Sequence, residues 1–94
     1  IGRPAVAPLI EALPSAGDAR PLIVEVLGRI GQPRAVPALA RCLNEGDDLV
    51  RCKAAIALGA VGDPAARPAL TAALEDESEE VCEAAEGALK QIDP

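Results

Sequence analysis

The sequence predicts an all-α protein, an α-α superhelix (solenoid) in which about three short helix pairs stack on one another. Three observations predict it. The chain repeats itself at one fixed offset, its apolar residues recur at helical spacing, and the links between helical segments are short. Half of the 94 residues are hydrophobic, yet none is Phe, Trp, Tyr or Met. The core must therefore be built from Leu, Ile, Val and Ala, without the large buried area that aromatic rings supply.

The repeat is clearest where residues 27–43, LGRIGQPRAVPALARCL, are followed by residues 58–74, LGAVGDPAARPALTAAL. The offset is 58 − 27 = 31 residues, and seven identities share it, far more than chance gives. A third copy occupies residues 1–13 once one residue is inserted, and a partial fourth occupies residues 81–94. A fixed period of this length is the signature of stacked repeats. We divide the single domain, 1–94, into repeats of approximately 1–31, 32–62 and 63–94.

Each repeat contains a longer helix, which is clearest in the second copy. Asp47 or Asp48 supplies a side-chain oxygen for the free N–H groups at its start, and Gly62 stands where a glycine ends a helix. The equivalent helices should run from about Asp18 to Ile30 and from about Ser78 to Ile92. The apolar stripe, at positions i, i+4, i+8 and i+11 of one helix face, consists of Val50, Ala54, Leu58 and Val61.

The shorter helix of each repeat is predicted over residues 35–43, with relatives at Ala5–Leu13 and Ala66–Leu74. Two prolines four residues apart accompany each one. A proline inside a helix lacks the N–H donor, and its ring presses on the carbonyl four residues back. We therefore expect the first proline of each pair to lie in a separate turn or 3₁₀ segment, with regular helix from near Ala5, Ala35 and Ala66. The pairs are Pro4/Pro8, Pro33/Pro37 and Pro64/Pro68.

The links between helices are a few residues long and rich in Gly, Asp and Pro, so consecutive helices must be antiparallel neighbours. No helix pair closes a core alone, because both helices keep apolar faces after pairing. Stacking of neighbouring pairs buries the remainder. We therefore expect Leu39, Leu58 and Leu70 to be almost wholly buried between layers.

The sequence pattern consists of a valine, an Ala-rich turn and then LGxxGDPxAxPAL, the last of which is seen in residues 58–70. This pattern resembles the short HEAT-like repeats named after phycobilisome lyases. The resemblance covers essentially all 94 residues. It implies a right-handed superhelix with the shorter helices on the concave side, and it implies scaffold, adaptor or bilin-lyase-subunit roles alike. In the family, an arginine at the position of Arg51 and Arg20 pairs with a loop acid. The last copy has Cys82 there, so its junction should lack that ion pair. It also has Lys90 in place of a glycine, which predicts an atypical last helix.

Charge limits the choice of partner. Nine Lys and Arg against 15 Asp and Glu give a formal charge of −6. Residues 1–62 hold seven basic and six acidic residues, net +1, whereas residues 63–94 hold two and nine, net −7. Nucleic acid and anionic membrane surfaces reward positive charge. We therefore expect neither nucleic acid nor membrane as a partner.

The residue types also exclude familiar catalytic chemistry. The chain has no His, so Ser–His and Cys–His pairs and His-based metal sites cannot form within it. We predict no enzyme activity and no catalytic, cofactor-binding or metal-binding residue. The acidic stretch from Glu75 to Glu80 is interpreted as a solvated loop that favours the start of the next helix, although it could hold a cation or a basic partner.

Three cysteines in no CxxC arrangement indicate reduced thiols and a cytoplasmic location. Cys42 falls where the other copies have alanine, which predicts a packing role. Cys52 is interpreted as an inert surface or interface residue. Cys82 is the third.

Positions that differ between copies mark the predicted partner surface. Leu22 and Ile56 are apolar on a face that should be wet, which indicates an interface. The sequence therefore predicts a non-catalytic scaffold module that binds another protein. The alternatives are a bilin-lyase-like subunit, a repeat domain appended to an enzyme, and a DNA-binding repeat that the charge disfavours. The candidate surface residues are Glu11, Arg41, Leu22, Lys53, Ile56 and Arg29.

Both ends of the chain lie at the same phase of the repeat. Ile1-Gly2 matches Ile30-Gly31, and Asp93-Pro94 matches Asp63-Pro64, which predicts a fragment of a longer array. Solenoids normally cover their ends with polar repeats. We therefore expect self-association through at least one uncapped end, unless the acidic last repeat is itself a cap.

Overall fold

The computed structural model describes residues 2–92, with side chains described from Val6 onward. The predicted matches at Ile1 and Asp93-Pro94 lie outside that range. The described chain forms six α-helices and four single 3₁₀ turns with no strand, which confirms the all-α class. The 3₁₀ turns are Leu13–Ser15, Gly17–Ala19, Pro33–Ala35 and Pro64–Ala66. The helices are α1 (Gly2–Ala12), α2 (Arg20–Ile30), α3 (Val36–Glu45), α4 (Asp48–Val61), α5 (Arg67–Ala73) and α6 (Glu79–Ile92).

The helices alternate between two layers. The longer helices α2, α4 and α6 lie side by side, with α4 in the middle against both neighbours. The shorter helices pack on them, α1 on α2, α3 on α4 and α5 on α6, and α3 also contacts α5. Three stacked helix pairs confirm the predicted solenoid.

The proline prediction is confirmed in two repeats and wrong in the first. In the second and third repeats the first proline opens a 3₁₀ turn, and regular helix begins after it, at Val36 and Arg67. By contrast, α1 is continuous from Gly2 and holds Pro8 inside it. Because Pro4 falls in the first turn of α1, its missing N–H removes no intrahelical bond. The first repeat therefore needs no separate turn.

The ends of α4 carry the predicted caps. The Asp47 carboxylate accepts a hydrogen bond from the N–H of Val50 at 2.9 Å, and α4 begins at the next residue after Asp47. Gly62 ends the helix with φ of 75°, a left-handed conformation that glycine adopts without a Cβ penalty. Its N–H donates to the Leu58 carbonyl at 3.1 Å.

The other two longer helices begin slightly later than predicted. α2 starts at Arg20 and not at Asp18, because a 3₁₀ turn precedes it. α6 starts at Glu79, and Ser78 lies just before it with its hydroxyl accepting from the N–H of Val81 at 3.5 Å. Ser78 therefore caps the start of α6.

The core runs through all three pairs. Leu39, Leu58 and Leu70 are completely buried, as predicted. They belong to one cluster of buried Leu, Val and Ala side chains. Small residues bring the longer helices close: a Cβ added to Gly59 of α4 would lie 2.8 Å from the Cα of Ala88 of α6.

Candidate functional site

The structure places the predicted partner-surface residues on two layers. Glu11 and Arg41 are exposed on the shorter helices α1 and α3. The other four lie on the longer helices and are exposed, except that Lys53 is half-buried. The six residues are therefore not one contiguous set. Those on the longer helices are Leu22 and Arg29 on α2, and Lys53 and Ile56 on α4.

Large apolar side chains are exposed on α2 and α4. The exposed fraction is 63% for Leu22 and 53% for Ile56. Leu49 is 55% exposed and lies seven residues before Ile56, hence on the same side of α4. Sequence reasoning missed Leu49, although its spacing from Ile56 was the signal. We call Leu22, Leu49 and Ile56 the outer apolar set.

Charged side chains beside this set are joined across the two helices by one acid. Arg29 Nη2 lies 2.9 Å from Glu25 Oε2, one turn away in α2. Lys53 Nζ of α4 lies 3.4 Å from Glu25 Oε1. Exposed pairs of this kind contribute at most about 1 kcal/mol each. They link Arg29 of α2 and Lys53 of α4 through one shared carboxylate.

The junction between the second and third helix pairs contains a two-pronged ion pair. Arg51 Nε and Nη2, on α4, lie 2.9 and 3.1 Å from the carboxylate of Asp76, in the loop before α6. Each side chain is 14% exposed. The guanidinium also donates to the Gly46 carbonyl at 2.8 Å and to Asp48 at 2.7 Å. This confirms the arginine–acid pair that the family resemblance implied for Arg51.

The same contact sets the protonation of both partners. The hydrogen bond from Arg51, helped by the N–H of Ser78 at 2.9 Å, lowers the pKa of Asp76 from its ordinary 3.8. In return, the hydrogen bond to Asp76 raises the pKa of Arg51. Hydrogen bonds and an opposite charge favour the ionised forms, so the pair is fully charged at neutral pH.

Arg20 occupies the equivalent position one repeat earlier (51 − 31 = 20) but forms no ion pair within the described chain. The pairing that the resemblance implied for it is therefore wrong. Its Nε donates to the Leu13 carbonyl at 3.2 Å, and its Nη2 donates to the Pro14 carbonyl at 3.4 Å. Both carbonyls belong to the link between α1 and α2, just as the Gly46 carbonyl that Arg51 contacts belongs to the link before α4. Glu45, the equivalent of Asp76 (76 − 31 = 45), is exposed.

A cavity of about 230 Å³ lies between the ends of α1 and α3. The charged residues that line it are Arg20, Arg41 and Glu45. Cys42 also lines it and is buried, as the packing role predicted. Burial raises the pKa of the Cys42 thiol, which is therefore neutral at pH 7.

A sequence model of HEAT repeats matches residues 6–90, which take in nearly all six helices. The chain belongs to the HEAT-repeat family. HEAT repeats generally mediate protein–protein interactions and are typically non-catalytic. The match is to HEAT repeats in general, so the closer resemblance to phycobilisome-lyase repeats stays a prediction. A comparison with curated proteins gives no match.

In this HEAT-repeat chain the acidic loop has two parts with different roles. Asp76 is engaged by Arg51, whereas the flanking Glu75 and Glu77 are exposed. Within residues 2–92, no three His, Cys, Asp or Glu side chains are grouped so that they could hold a metal ion. None of the described helices combines the length and apolarity that crossing a membrane requires.

The two remaining thiols, on α4 and α6, each lie near a backbone carbonyl. Cys52 is half-buried against the core, and its Sγ lies 3.9 Å from the Glu80 carbonyl. Cys82 Sγ donates to the Asp76 carbonyl at 3.0 Å. Cys82 thus contacts a loop carbonyl, as Arg20 and Arg51 do, but brings no charge to that junction. All three cysteines are free thiols.

Proposed function

We propose that this chain is a non-catalytic, cytoplasmic scaffold module that binds a partner protein through the outer side of α2 and α4. One observation carries the proposal: Leu22, Leu49 and Ile56 are each more than half exposed on these two helices. A contiguous exposed apolar patch bordered by charges is typical of protein interaction sites, and we propose that these three side chains form one. The charges here are the Glu25, Arg29 and Lys53 group.

The packing beneath this surface supports binding by rigid complementarity. Leu27 and Val24 lie on the buried side of α2 and are completely buried. Ala54 and Leu58 lie on the buried side of α4 and are also completely buried. A surface that is already ordered loses little conformational entropy when a partner binds. The two helices that carry the outer apolar set are therefore held in place before the partner arrives.

A comparison of surface variants tests the proposal. Purified chain is used as bait in a lysate of the source cells, and bound proteins are identified by mass spectrometry. The double substitution Leu22→Ser with Ile56→Ser should remove the specific partner. Leu74→Ser is the matched control, because Leu74 is also exposed, at 39%, but follows α5. If both variants captured the partner equally strongly, the outer side of α2 and α4 would not be the binding site.

We further propose that the partner is a protein and not nucleic acid or membrane, because the chain carries a formal charge of −6. A DNA mobility shift that weakens steeply with salt would contradict this. The division into repeats of about 1–31, 32–62 and 63–94 is part of the same proposal. No specific observation favours a bilin-lyase-like subunit or an enzyme-linked repeat domain, so neither is proposed.

A further inference from the structure

Two equivalent junctions of this solenoid differ in one respect. Between the second and third pairs, Arg51 meets the carboxylate of Asp76 at 2.9 and 3.1 Å. Between the first and second pairs, the equivalent residues are Arg20 and Glu45, and no ion pair joins them in the described structure. Both instead line the cavity of about 230 Å³. The first junction thus has the arginine without its carboxylate.

The guanidinium of Arg20 is held in place while part of it stays available. Nε and Nη2 donate to the carbonyls of Leu13 and Pro14. A guanidinium has five N–H donors, so these two contacts leave others unused. Arg51 donates to the Gly46 carbonyl and to Asp76 at once. An arginine at this position can therefore bind a loop carbonyl and a carboxylate through different nitrogens, and on Arg20 the Nη1 donors are the ones that remain for a carboxylate.

The remaining lining favours a single carboxylate attached to an apolar stem. Arg41, exposed on α3, adds a second positive charge at the cavity, and Glu45 adds one negative charge. The balance of these with Arg20 is +1, in a chain whose formal charge is −6. Ile10 and Leu13 supply apolar walls, and the neutral Cys42 thiol adds no charge. A group with two negative charges would be opposed by Glu45, whereas one carboxylate is matched by the net charge.

We propose that this cavity binds the carboxylate of a glutamate side chain on a partner protein. Because Nε and Nη2 of Arg20 already donate to backbone carbonyls, the carboxylate accepts from the Nη1 end of that guanidinium, and Arg41 supplies a second contact. The glutamate stem lies against Ile10 and Leu13. The inference adds a second recognition site to the proposed protein-binding function, with a stated partner chemistry. None of Leu22, Leu49 and Ile56 lines the cavity, so each site can fail without the other.

The test uses a capped Ala-Glu-Ala tripeptide as the probe and a capped Ala-Gln-Ala tripeptide as its neutral match. Both are titrated into ¹⁵N-labelled chain, with NMR detection of backbone amides and of the Arg20 Nε–H. The glutamate peptide should shift the Arg20 signal and the amides of cavity residues such as Ala38 and Cys42, and the glutamine peptide should not. An equal response to both peptides, or no response to either, overturns the inference.

Three substitutions make the assignment specific. Arg20→Gln should weaken binding at least about tenfold, because it removes a charge-assisted hydrogen bond. Arg41→Gln should weaken it severalfold and keeps the test valid if loss of Arg20 disturbs folding, since Arg41 is exposed. Arg34→Gln, an exposed arginine that does not line the cavity, should have no effect. Unchanged binding in both cavity variants overturns the inference, as does a larger shift of the Arg20 signal by inorganic phosphate.

Discussion

Gly28 of α2 lies so close to Ala57 of α4 that a Cβ on the glycine would stand 2.8 Å from both the Cα and the Cβ of Ala57. The contact recurs one repeat later between Gly59 and Ala88, at the same distance. Real Cβ atoms do not approach a backbone atom this closely. Glycine at this position therefore sets the spacing of the longer helices, and with it the geometry of the outer side of α2 and α4.

The first prediction is that Gly28→Ala destabilises the fold by about 1–3 kcal/mol, the usual result of overpacking. The added methyl group meets the backbone of Ala57, which can yield only if α2 and α4 separate. Urea unfolding followed by circular dichroism measures the change. Gly87→Ala is the control, because a Cβ there meets nothing within 4 Å. Alanine favours a helix over glycine by up to about 1 kcal/mol, so Gly87→Ala should be neutral or stabilising.

The second prediction concerns the buried stripe. Leu58 is completely buried, so Leu58→Ala should lower the free energy of unfolding by about 2–5 kcal/mol. A loss of that size is comparable with the whole stability of a small domain. Leu49→Ala, in the same helix but at a side chain 55% exposed, should stay within about 0.5 kcal/mol of the parent. Thermal melts of the two variants would contradict the burial assignment if they shifted equally.

The repeat made most of the fold predictable, and its irregularities account for what was missed. Identity at an offset of 31 residues predicted the helix pairs and the burial of Leu39 and Leu70, because equivalent positions meet equivalent neighbours. The first copy departs from that offset by one residue, and the error over the start of α1 falls there. The partner of Arg20 was missed for a related reason. The long link before α2 offers carbonyls at a distance that spacing in sequence does not reveal.

Exposure of the candidate surface was only partly predictable. Leu22 and Ile56 stood out because other copies carry Lys53 or Glu25 at those positions. Leu49 lies at the start of α4, where the first copy has a 3₁₀ turn. The third copy, however, carries the exposed Glu80 of α6 at this position, so the same comparison that marked Leu22 and Ile56 would also have marked Leu49. Its position seven residues before Ile56 on α4 gives the same indication.

The third prediction is that the Arg51–Asp76 pair makes the fold sensitive to acid. The folded pKa of Asp76 is below its ordinary 3.8. A depressed folded pKa means that the stabilisation is complete above the unfolded pKa and is lost as pH falls through the folded value. Melting temperatures should therefore drop from about pH 4 downward. In Asp76→Asn that part of the drop should disappear, whereas Glu77→Gln, at an exposed carboxylate, should keep it. Identical pH profiles for parent and Asp76→Asn would contradict the assignment.

The two end faces of the stack differ in their chemistry. Val26 of α2 is the equivalent of Ala57 and Ala88, which contact the preceding longer helix. Val26 is apolar and half-buried. The opposite face, on α5 and α6, carries charges at positions that are buried one repeat earlier. Such charges disfavour the stacking of a further apolar face. The exposed residues Arg67, Glu86 and Lys90 replace the buried Val36, Ala55 and Gly59.

The last prediction is that any self-association of the chain uses the face with Val26 and not the charged face. Val26→Lys should abolish the concentration dependence of the sedimentation coefficient at micromolar protein in moderate salt. A lysine on that face would have to be buried without a partner. Lys90→Glu is the matched control, because it keeps a charge on the opposite face, and it should leave association unchanged. If Lys90→Glu weakened association as much as Val26→Lys, the charged face would be the interface. If the parent sedimented as a monomer at every concentration, neither face would be an interface.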